Sequence, residues 1–458
     1  MINTASQARD LDSVLDAAPY GARYWLAFGL LTAMLFVEVF DFILTSFVLA
    51  QVSKEWTLTF GQAGFILLSF GFGSIAGAVC AGWAGDRFGR KRILVSGGTV
   101  LAISAGACSL VPEGGWVLFG VLRFIAGCGF AAAGTNLYPL VGEFTPRRHR
   151  TLLTSALGLS SPLALAATSA LAAFLLPHIG WRGVAAFGFA TILVPVLLAI
   201  AVPESPRWLA LRGRYAEASA AIATLFGTDV ASRIDWQADE GRTQSRRRAS
   251  FEVFRHPRAF WLVVLVYTGA SAAITGLLLW GPIIIAQLLD VSAAEAAGEF
   301  LKISMAGFAG RIFFTYLSQR IGRLKVGYIM GYGSGAFILL AAVCNDQFIA
   351  GLSVFVLCFI VAYFLLDGGF VSMLPYAAEV YPVALAGRAM GVGSAALGIG
   401  RILGPLGLAW FAGATNFITP AATLSAVRPG FAMLALCCLV AGVAYSVLGV
   451  ETHRRALK

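Results

Sequence analysis

The chain has 458 residues, of which 59% are apolar and only 12% are charged, and its mean hydropathy is +0.81. A soluble protein of this length needs more charge to cover its surface, so the composition excludes one and predicts a polytopic membrane protein. The formal net charge of +10 does not indicate nucleic-acid binding, because the basic residues fall in short clusters between apolar runs. The seven cysteines lie in apolar segments without metal-ligand spacing, so we expect neither a metal site nor a cofactor.

Twelve apolar runs, each long enough to cross a bilayer as a helix, follow one another along the chain. The longest polar stretch, about 203–258, divides them six and six and contains the basic sequence QSRRRAS (244–250). We expect short amphipathic helices and loop there. The runs lie at about 26–50, 62–83, 93–111, 116–141, 152–176, 183–202, 260–288, 298–319, 325–343, 348–374, 387–411 and 429–450.

The predicted fold class is therefore all-α, with twelve transmembrane helices in two six-helix bundles. Lysine and arginine are concentrated on one side of the runs, which by the positive-inside rule is the cytoplasmic side. Both termini and the central loop are expected there, in a multi-pass protein of the cell membrane whose short loops suit a bacterial inner membrane. The predicted divisions are an N-terminal segment at 1–25, bundles at 26–202 and 260–450, a central loop at 203–259 and a tail at 451–458.

The two halves of the chain carry matching motifs. GDRFGRK (85–91), after the second run, recurs as SQRIGRLK (318–325) after the eighth. GEFTP (142–146), after the fourth run, recurs as AEVYP (378–382) after the tenth. The two offsets, 233 and 236 residues, are nearly equal and close to half the chain. Parallel repeats of this kind place a substrate site between the halves, near the midplane of the membrane.

Two carboxylates, Glu38 and Asp41, lie in the middle of the first apolar run. A charge at the bilayer centre costs about 2.5–3.5 kcal/mol on insertion scales unless it is paired, hydrated or protonated. With a rise of about 1.5 Å per residue, Asp41 lies at nearly the same depth as Arg123 of the fourth run, its expected partner. We hypothesise that Asp41 is the main proton-carrying group, that Arg123 tunes it, and that Glu38 shares the proton or contacts substrate. The alternative is a fixed structural ion pair.

Arg401 lies near the middle of the eleventh run, and an arginine fork suits a carboxylate ligand. It is a candidate anion anchor; the alternative is an ion pair with Asp367 of the tenth run, which is open to either role. Arg311, near the inner end of the eighth run, is predicted to be structural, either snorkelling to the interface or paired with a loop. The aromatic candidates for substrate contact near the midplane are chiefly Tyr138, Trp280 and Tyr363.

Several of these motifs resemble the major facilitator superfamily, and the resemblance covers nearly all of the chain. GWAGDRFGRKR (82–92) is similar to the signature loop between helices 2 and 3 of that superfamily, and RFIAGCGFAAAG (123–134) to its helix 4 pattern. PESPRWL (203–209) is typical of the sugar-porter-like and organic-ion branches. The resemblance implies the two-bundle major facilitator fold, and the expected mechanism is alternating access to a central site.

Within the superfamily, EVFD (38–41) resembles the carboxylate–x–x–carboxylate pair of the aromatic acid:proton symporters, among the metabolite:proton symporters. Two residues depart from the pattern: Gln319 stands where the first half has an aspartate, and Asp367 stands where an amide is expected. The glutamine-rich helix 7 motif of sugar porters is absent. Three further stretches are similar to the aromatic acid group: GWRG (180–183), GLLLWGP (276–282) and GIGRILGP (398–405).

The resemblance also implies a cytoplasmic gate that stabilises the outward-facing state. In the first half, basic residues of the signature loop would meet Glu143. In the second half, Glu379 would meet Arg320 or Arg323, and the missing aspartate predicts a weaker latch. The alternative is that the basic residues serve membrane topology alone. The gate residues of the first-half loop are Asp86, Arg87, Gly89, Arg90 and Lys91.

Together these features predict a proton-coupled secondary transporter that imports a small organic anion, either aromatic or another carboxylate. Its expected partners are that substrate, protons and the lipid bilayer, and we expect it to act as a monomer. A sugar or polyol symporter and a proton/drug antiporter remain open alternatives. Nothing in the sequence favours a membrane sensor, since no signalling domain is appended. Nor does it favour an enzyme, since no nucleophile–base pair or metal cluster stands out.

Overall fold

The computed structural model describes residues 11–234, 236, 252–382 and 385–452, and most of them are helical. Apolar runs form long helices in a membrane because a helix satisfies its own backbone polar groups. The helices are α1 (Leu11–Ala17), α2 (Ala22–Glu55), α3 (Phe60–Phe88), α4 (Arg90–Ala107), α5 (Trp116–Phe144), α6 (Arg147–Gly158), α7 (Ser160–Ala190), α8 (Leu193–Ala201), α9 (Pro206–Ala210), α10 (Tyr215–Phe226), α11 (Thr228–Ala231), α12 (Pro257–Leu288), α13 (Ala293–Ile321), α14 (Arg323–Tyr328), α15 (Ser334–Val343), α16 (Val354–Val380), α17 (Ala386–Ala412) and α18 (Pro420–Leu448).

Within the described residues, ten segments are long and apolar enough to cross a membrane. One of them, Leu152–Ala201, contains two of the predicted spans, because the positive φ of Gly180 (64°) breaks α7 between them. The remaining predicted span corresponds to α13, a helix of 29 residues that carries several charged side chains. The predicted twelve-helix fold in two bundles is confirmed.

The connection before the tenth span differs in detail from the sequence prediction. The tenth span was predicted to begin near residue 348, but α16 begins at Val354. Before it, two short strands, β1 (Phe348–Ile349) and β2 (Leu352–Ser353), form an antiparallel hairpin, because Ala350 and Gly351 both adopt positive φ. The central loop contains α9, α10 and α11, as expected, whereas its QSRRRAS stretch lies outside the described residues.

The two bundles meet chiefly where α7 packs against α13, α2 against α12, and α3 against α17. The face that carries both described chain ends is termed the terminal face, and the opposite one the distal face. At the distal face, the turn before α3 pairs with the segment that joins α17 to α18. Phe60 N–H donates to Asn416 O (2.9 Å) and Gly61 N–H donates to Ala414 O (2.9 Å). These backbone hydrogen bonds hold the bundles together at their distal ends.

Candidate functional site

The two carboxylates of α2 are both buried, but they have different neighbours. Asp41 forms a two-pronged ion pair with Arg123 of α5, with Nη1–Oδ1 and Nη2–Oδ2 distances of 3.1 and 3.0 Å. Both side chains are less than 5% exposed, and the guanidinium also lies 4.9 Å from the centroid of the Phe70 ring. The structure therefore joins the two residues that the depth argument placed together, within the first bundle.

Glu38, one turn earlier on α2, is only 1% exposed and has no such partner. Among the described residues, none donates a hydrogen bond to either of its carboxylate oxygens. Its side chain lies against Gly134 of α5, where an added Cβ would meet Oε2 at 3.2 Å. The cation that acts on it is Arg401 of α17, in the second bundle, which does not come within ion-pair distance. A buried carboxylate without a close partner is costly as an anion.

Arg401 faces the same region from the opposite bundle. Its side chain is half-buried, and its guanidinium carbon lies 5.3 Å from the centroid of the Phe130 ring of α5. Within the described part of the chain it makes no ion pair and no hydrogen bond. Its planar set of N–H donors is therefore available to a carboxylate ligand.

Tyr138 completes this group and shows that water reaches it. It lies within electrostatic range of Glu38 and Arg401, yet 44% of its surface is exposed. A side chain that is surrounded by charged groups of both bundles and is still exposed borders a water-accessible space between them.

Asp367 does not pair with Arg401, which was one of the two expectations for it. It forms a two-pronged ion pair with Arg311 of α13 instead, with Nε–Oδ2 and Nη2–Oδ1 distances of 2.7 and 2.8 Å. Two glycines explain this pairing. Gly310 and Gly368 each lie directly against the facing helix, so α13 and α16 approach closely. The residues next to these glycines, Arg311 and Asp367, are thereby brought together.

Arg311 was expected to snorkel to the interface or to pair with a loop, and that expectation was wrong. Its side chain is only 8% exposed, because Asp367 neutralises its charge inside the protein. It also donates from Nη1 to the carbonyl oxygen of Gly158 (2.7 Å), at the end of α6 in the first bundle. The Arg311–Asp367 pair thus contacts both bundles. Unlike Tyr138, it is buried.

The other two aromatic candidates are enclosed by protein. Trp280 of α12 is fully buried, donates to Pro405 O (3.0 Å) and packs its ring against Phe60 across the bundle interface. Tyr363 of α16 is 3% exposed and lies beside Asp367. Of the three predicted contacts, Tyr138 is the one that borders the water-accessible space.

The predicted gate residues form a cluster in each half at the terminal face. In the first half, Arg90 forms an ion pair with Glu143, whose other oxygen accepts a hydrogen bond from the Ser205 hydroxyl. In the second half, Arg323 pairs with Glu379 (2.6 Å), whose other oxygen accepts from the Thr452 hydroxyl (2.6 Å). The two halves therefore repeat the same three-part arrangement.

The remaining gate candidates lie around these clusters. The Asp86 side chain is exposed, and within the described residues its carboxylate has no partner; its backbone carbonyl accepts from Trp208 Nε1 (2.9 Å). Arg87 lies over the Trp83 ring at 5.3 Å. Arg320 contacts Tyr316 of its own helix, so Arg323 is the residue that meets Glu379.

Sequence reasoning missed two carboxylates of these clusters, Glu204 and Glu451. Glu204 Oε1 accepts from the backbone N–H of Lys91 (2.8 Å) at the start of α4. Glu451 Oε1 accepts from the backbone N–H of Arg323 (3.1 Å) at the start of α14. Glu204 is part of the stretch PESPRWL, so the sequence did contain a signal for it. Glu204 and Glu451 are 247 residues apart, however, whereas the other motifs recur after 233 and 236 residues, so the repeat did not reveal them as a pair.

The fold and the site together define a transporter of two six-helix bundles, with its charged site between them. The chain belongs to the Major Facilitator Superfamily, whose family model matches residues 31–405.

Its relatives include the 4-hydroxybenzoate transporter PcaK of Pseudomonas aeruginosa, which is 26% identical over 90% of each chain. The cis,cis-muconate transport protein of Acinetobacter baylyi is 26% identical over 94% of each chain. Among solved structures, the inward-open xylose transporter XylE from E. coli matches with a TM-score of 0.72 at 19% identity, covering 95% of this chain and 98% of XylE.

Proposed function

We propose that the chain is a proton-coupled importer of small organic anions, with aromatic carboxylates as the leading substrate class. The names of the relatives support this class, because several are transporters of 4-hydroxybenzoate, gallate or muconate. One observation carries the proposal. The buried acid Glu38 has no hydrogen-bond partner, and it lies within electrostatic range of Arg401, whose N–H donors are unused by the described residues.

The mechanism that we propose is competition of two carboxylates for one cation. Arg401 can balance the charge of Glu38 or the charge of a bound substrate, but not both. A substrate carboxylate on Arg401 therefore requires that Glu38 be protonated, since two unscreened carboxylates near one cation repel each other. Binding of the anion and binding of the proton are thereby linked.

This assignment differs from the hypothesis that Asp41 is the main proton carrier. Asp41 already has a close cation in Arg123, which forms two hydrogen bonds with its carboxylate in this conformation. Glu38 has no such partner, so a proton bound there removes a buried charge that no close cation balances. We therefore assign proton carriage to Glu38 and a structural and tuning role to the Asp41–Arg123 pair.

Alternating access supplies the movement. In the present conformation backbone hydrogen bonds join the bundles at the distal face, and we infer from this that the site opens to the terminal face. We assign the terminal face to the cytoplasm of a bacterial cell, because the basic clusters lie there. Rocking of the bundles would open the distal side instead. Glu38 and Arg401 lie in the two bundles of the same chain, and we propose that it functions as a monomer.

The test is uptake by proteoliposomes with an alkaline interior, using labelled benzoate, 4-hydroxybenzoate, muconate and xylose. We expect one of the acids to accumulate above equilibrium. Glu38→Gln should abolish the gradient-driven accumulation but retain exchange of labelled for unlabelled acid. Glu55→Gln, at the end of the same helix, is the matched control, since glutamine can still accept the hydrogen bond from Trp181.

Other outcomes would select another function. Accumulation of xylose but of none of the acids would indicate a sugar symporter, in which the charge of Arg401 has no ligand to balance it. Gradient-driven extrusion of a dye, without uptake of any acid, would indicate an antiporter. Normal accumulation by Glu38→Gln would remove Glu38 as the proton carrier.

A further inference from the structure

One face of α5 lines the site with residues at a four-residue spacing. Phe130, Gly134 and Tyr138 lie on this face, because residues four apart on an α-helix are neighbours. Gly134 leaves room for the Glu38 carboxylate, and Tyr138 lies within electrostatic range of Glu38 and Arg401. Phe130 is the member of this face that lies against the Arg401 guanidinium. It is half-buried, so part of its ring borders the site.

The ring of Phe130 is fixed in place from behind. Its centroid is 5.2 Å from that of Phe70, at an interplanar angle of 61°, and 6.3 Å from that of Phe42. Phe70 is in turn covered by the guanidinium of Arg123 at 4.9 Å. Packing on both sides and an ion pair behind them restrict the rotamers that Phe130 can adopt.

We propose that Phe130 is a specificity-determining residue that favours a planar aromatic ring on the carboxylate bound by Arg401. This inference rests on the proposed function. The carboxylate of a benzoate is conjugated with its ring, so the bound acid is flat, whereas a saturated ring is puckered. A flat ring beside Arg401 can contact the fixed face or edge of Phe130, and aromatic pairs of this kind are more favourable than their buried area alone predicts.

The measurement is a comparison of benzoate with cyclohexanecarboxylate, which carries the same carboxylate on a saturated ring of similar size. Binding of each acid to the purified protein is measured by titration calorimetry, and inhibition of labelled uptake by each acid is measured in proteoliposomes. The ratio of the two affinities isolates the ring, because any effect of a substitution on the Arg401 contact is common to both acids.

We expect Phe130→Leu to reduce the preference for benzoate by up to about tenfold, the value that corresponds to one aromatic pair. Phe130→Met, which fills a similar volume without a ring, should do the same if the leucine variant folds poorly. Phe130→Tyr should retain the preference. Phe124→Leu is the control, since Phe124 lies on the same helix and is 39% exposed.

Four results would overturn the proposal. An unchanged ratio in Phe130→Leu or Phe130→Met, with normal transport, would remove the selecting role of Phe130 and leave the proposed function intact. An equal fall in Phe124→Leu would have the same meaning, and so would loss of the preference in Phe130→Tyr. Failure of the unmodified protein to bind either benzoate or cyclohexanecarboxylate would overturn this inference, and the proposed function would fall with it if 4-hydroxybenzoate and muconate also failed to accumulate.

Discussion

Glu204 and Glu451 hold equivalent positions in the two halves of the chain. Each caps the helix that follows a glycine turn: Glu204 accepts from the N–H of Lys91, and Glu451 accepts from the N–H groups of Arg323 and Leu324. The turn glycines, Gly89 and Gly322, have φ of 109° and 90°, and an added Cβ at either would collide with the capping carboxylate. The repeat therefore includes the carboxylate that closes each turn, as well as the turn itself.

Replacing the first of these caps should weaken the terminal-face cluster. Glu204→Ala leaves the Lys91 N–H without its acceptor, and loss of a helix cap costs about 1–2 kcal/mol. We expect a lower melting temperature for the purified protein and slower transport, with little change in substrate affinity, because the cluster lies away from Arg401. Glu217→Ala in α10 is the control, since that side chain is exposed and pairs with Arg214 of its own segment. Equal melting temperatures for Glu204→Ala and the unmodified protein would contradict the capping role.

The fold could be predicted from the sequence to a large extent, because it depends on features that are read along one chain. Apolar length gives the spans, and the recurrence of two motifs at nearly equal offsets gives the two bundles. Helix rise gives the depth of a side chain, which was enough to place Arg123 beside Asp41.

The site could be predicted only in part, because depth along a helix does not give the direction in which a side chain points. Arg311 and Arg401 were both available to Asp367 by depth. The choice depends on the glycine contact between α13 and α16, which a single sequence does not reveal. For the same reason Phe130 was not singled out, since the approach of the Arg401 guanidinium to its ring depends on how the two bundles meet.

Transport of a monoanion should be electroneutral if Glu38 takes up one proton for each substrate. A membrane potential of 100 mV then contributes nothing to uptake, although it would act on each uncompensated charge with about 2.3 kcal/mol. We expect benzoate uptake to follow the pH gradient and to be insensitive to a potassium–valinomycin potential. In Glu38→Gln, where no proton accompanies the anion, exchange-independent uptake should become sensitive to that potential. In the unmodified protein, stimulation of uptake by an inside-negative potential would show that more than one proton moves with each anion, and inhibition would show that none does.

Substitution of Arg401 should affect substrate affinity more than the maximal rate. Hydrogen bonds to a charged group contribute about 1.5–3 kcal/mol, so Arg401→Gln should weaken binding of a carboxylate by tenfold or more. Arg401→Lys keeps the charge but loses the planar set of donors. Its affinity for the carboxylate should therefore lie between those of the unmodified protein and Arg401→Gln. Arg428→Gln, at an exposed position of α18, is the control for loss of one positive charge from the same bundle. The role as anion anchor would be refuted if Arg401→Gln bound benzoate with unchanged affinity.

Closure of the distal face should depend on the absence of a side chain at position 61. An added Cβ on Gly61 would lie 2.6 Å from the Ala414 carbonyl oxygen, which also accepts the Gly61 N–H. Gly61→Val should therefore prevent the two segments from meeting and favour the state that is open at the distal face. We expect substrate binding to remain while uptake falls at least tenfold, since a shift of about 1.4 kcal/mol between the two states is enough. Gly82→Val is the matched control on the same helix, because an added Cβ there meets no atom within 4 Å. Normal uptake by Gly61→Val, or an equal loss in Gly82→Val, would show that the backbone contact at the distal face does not limit the transport cycle.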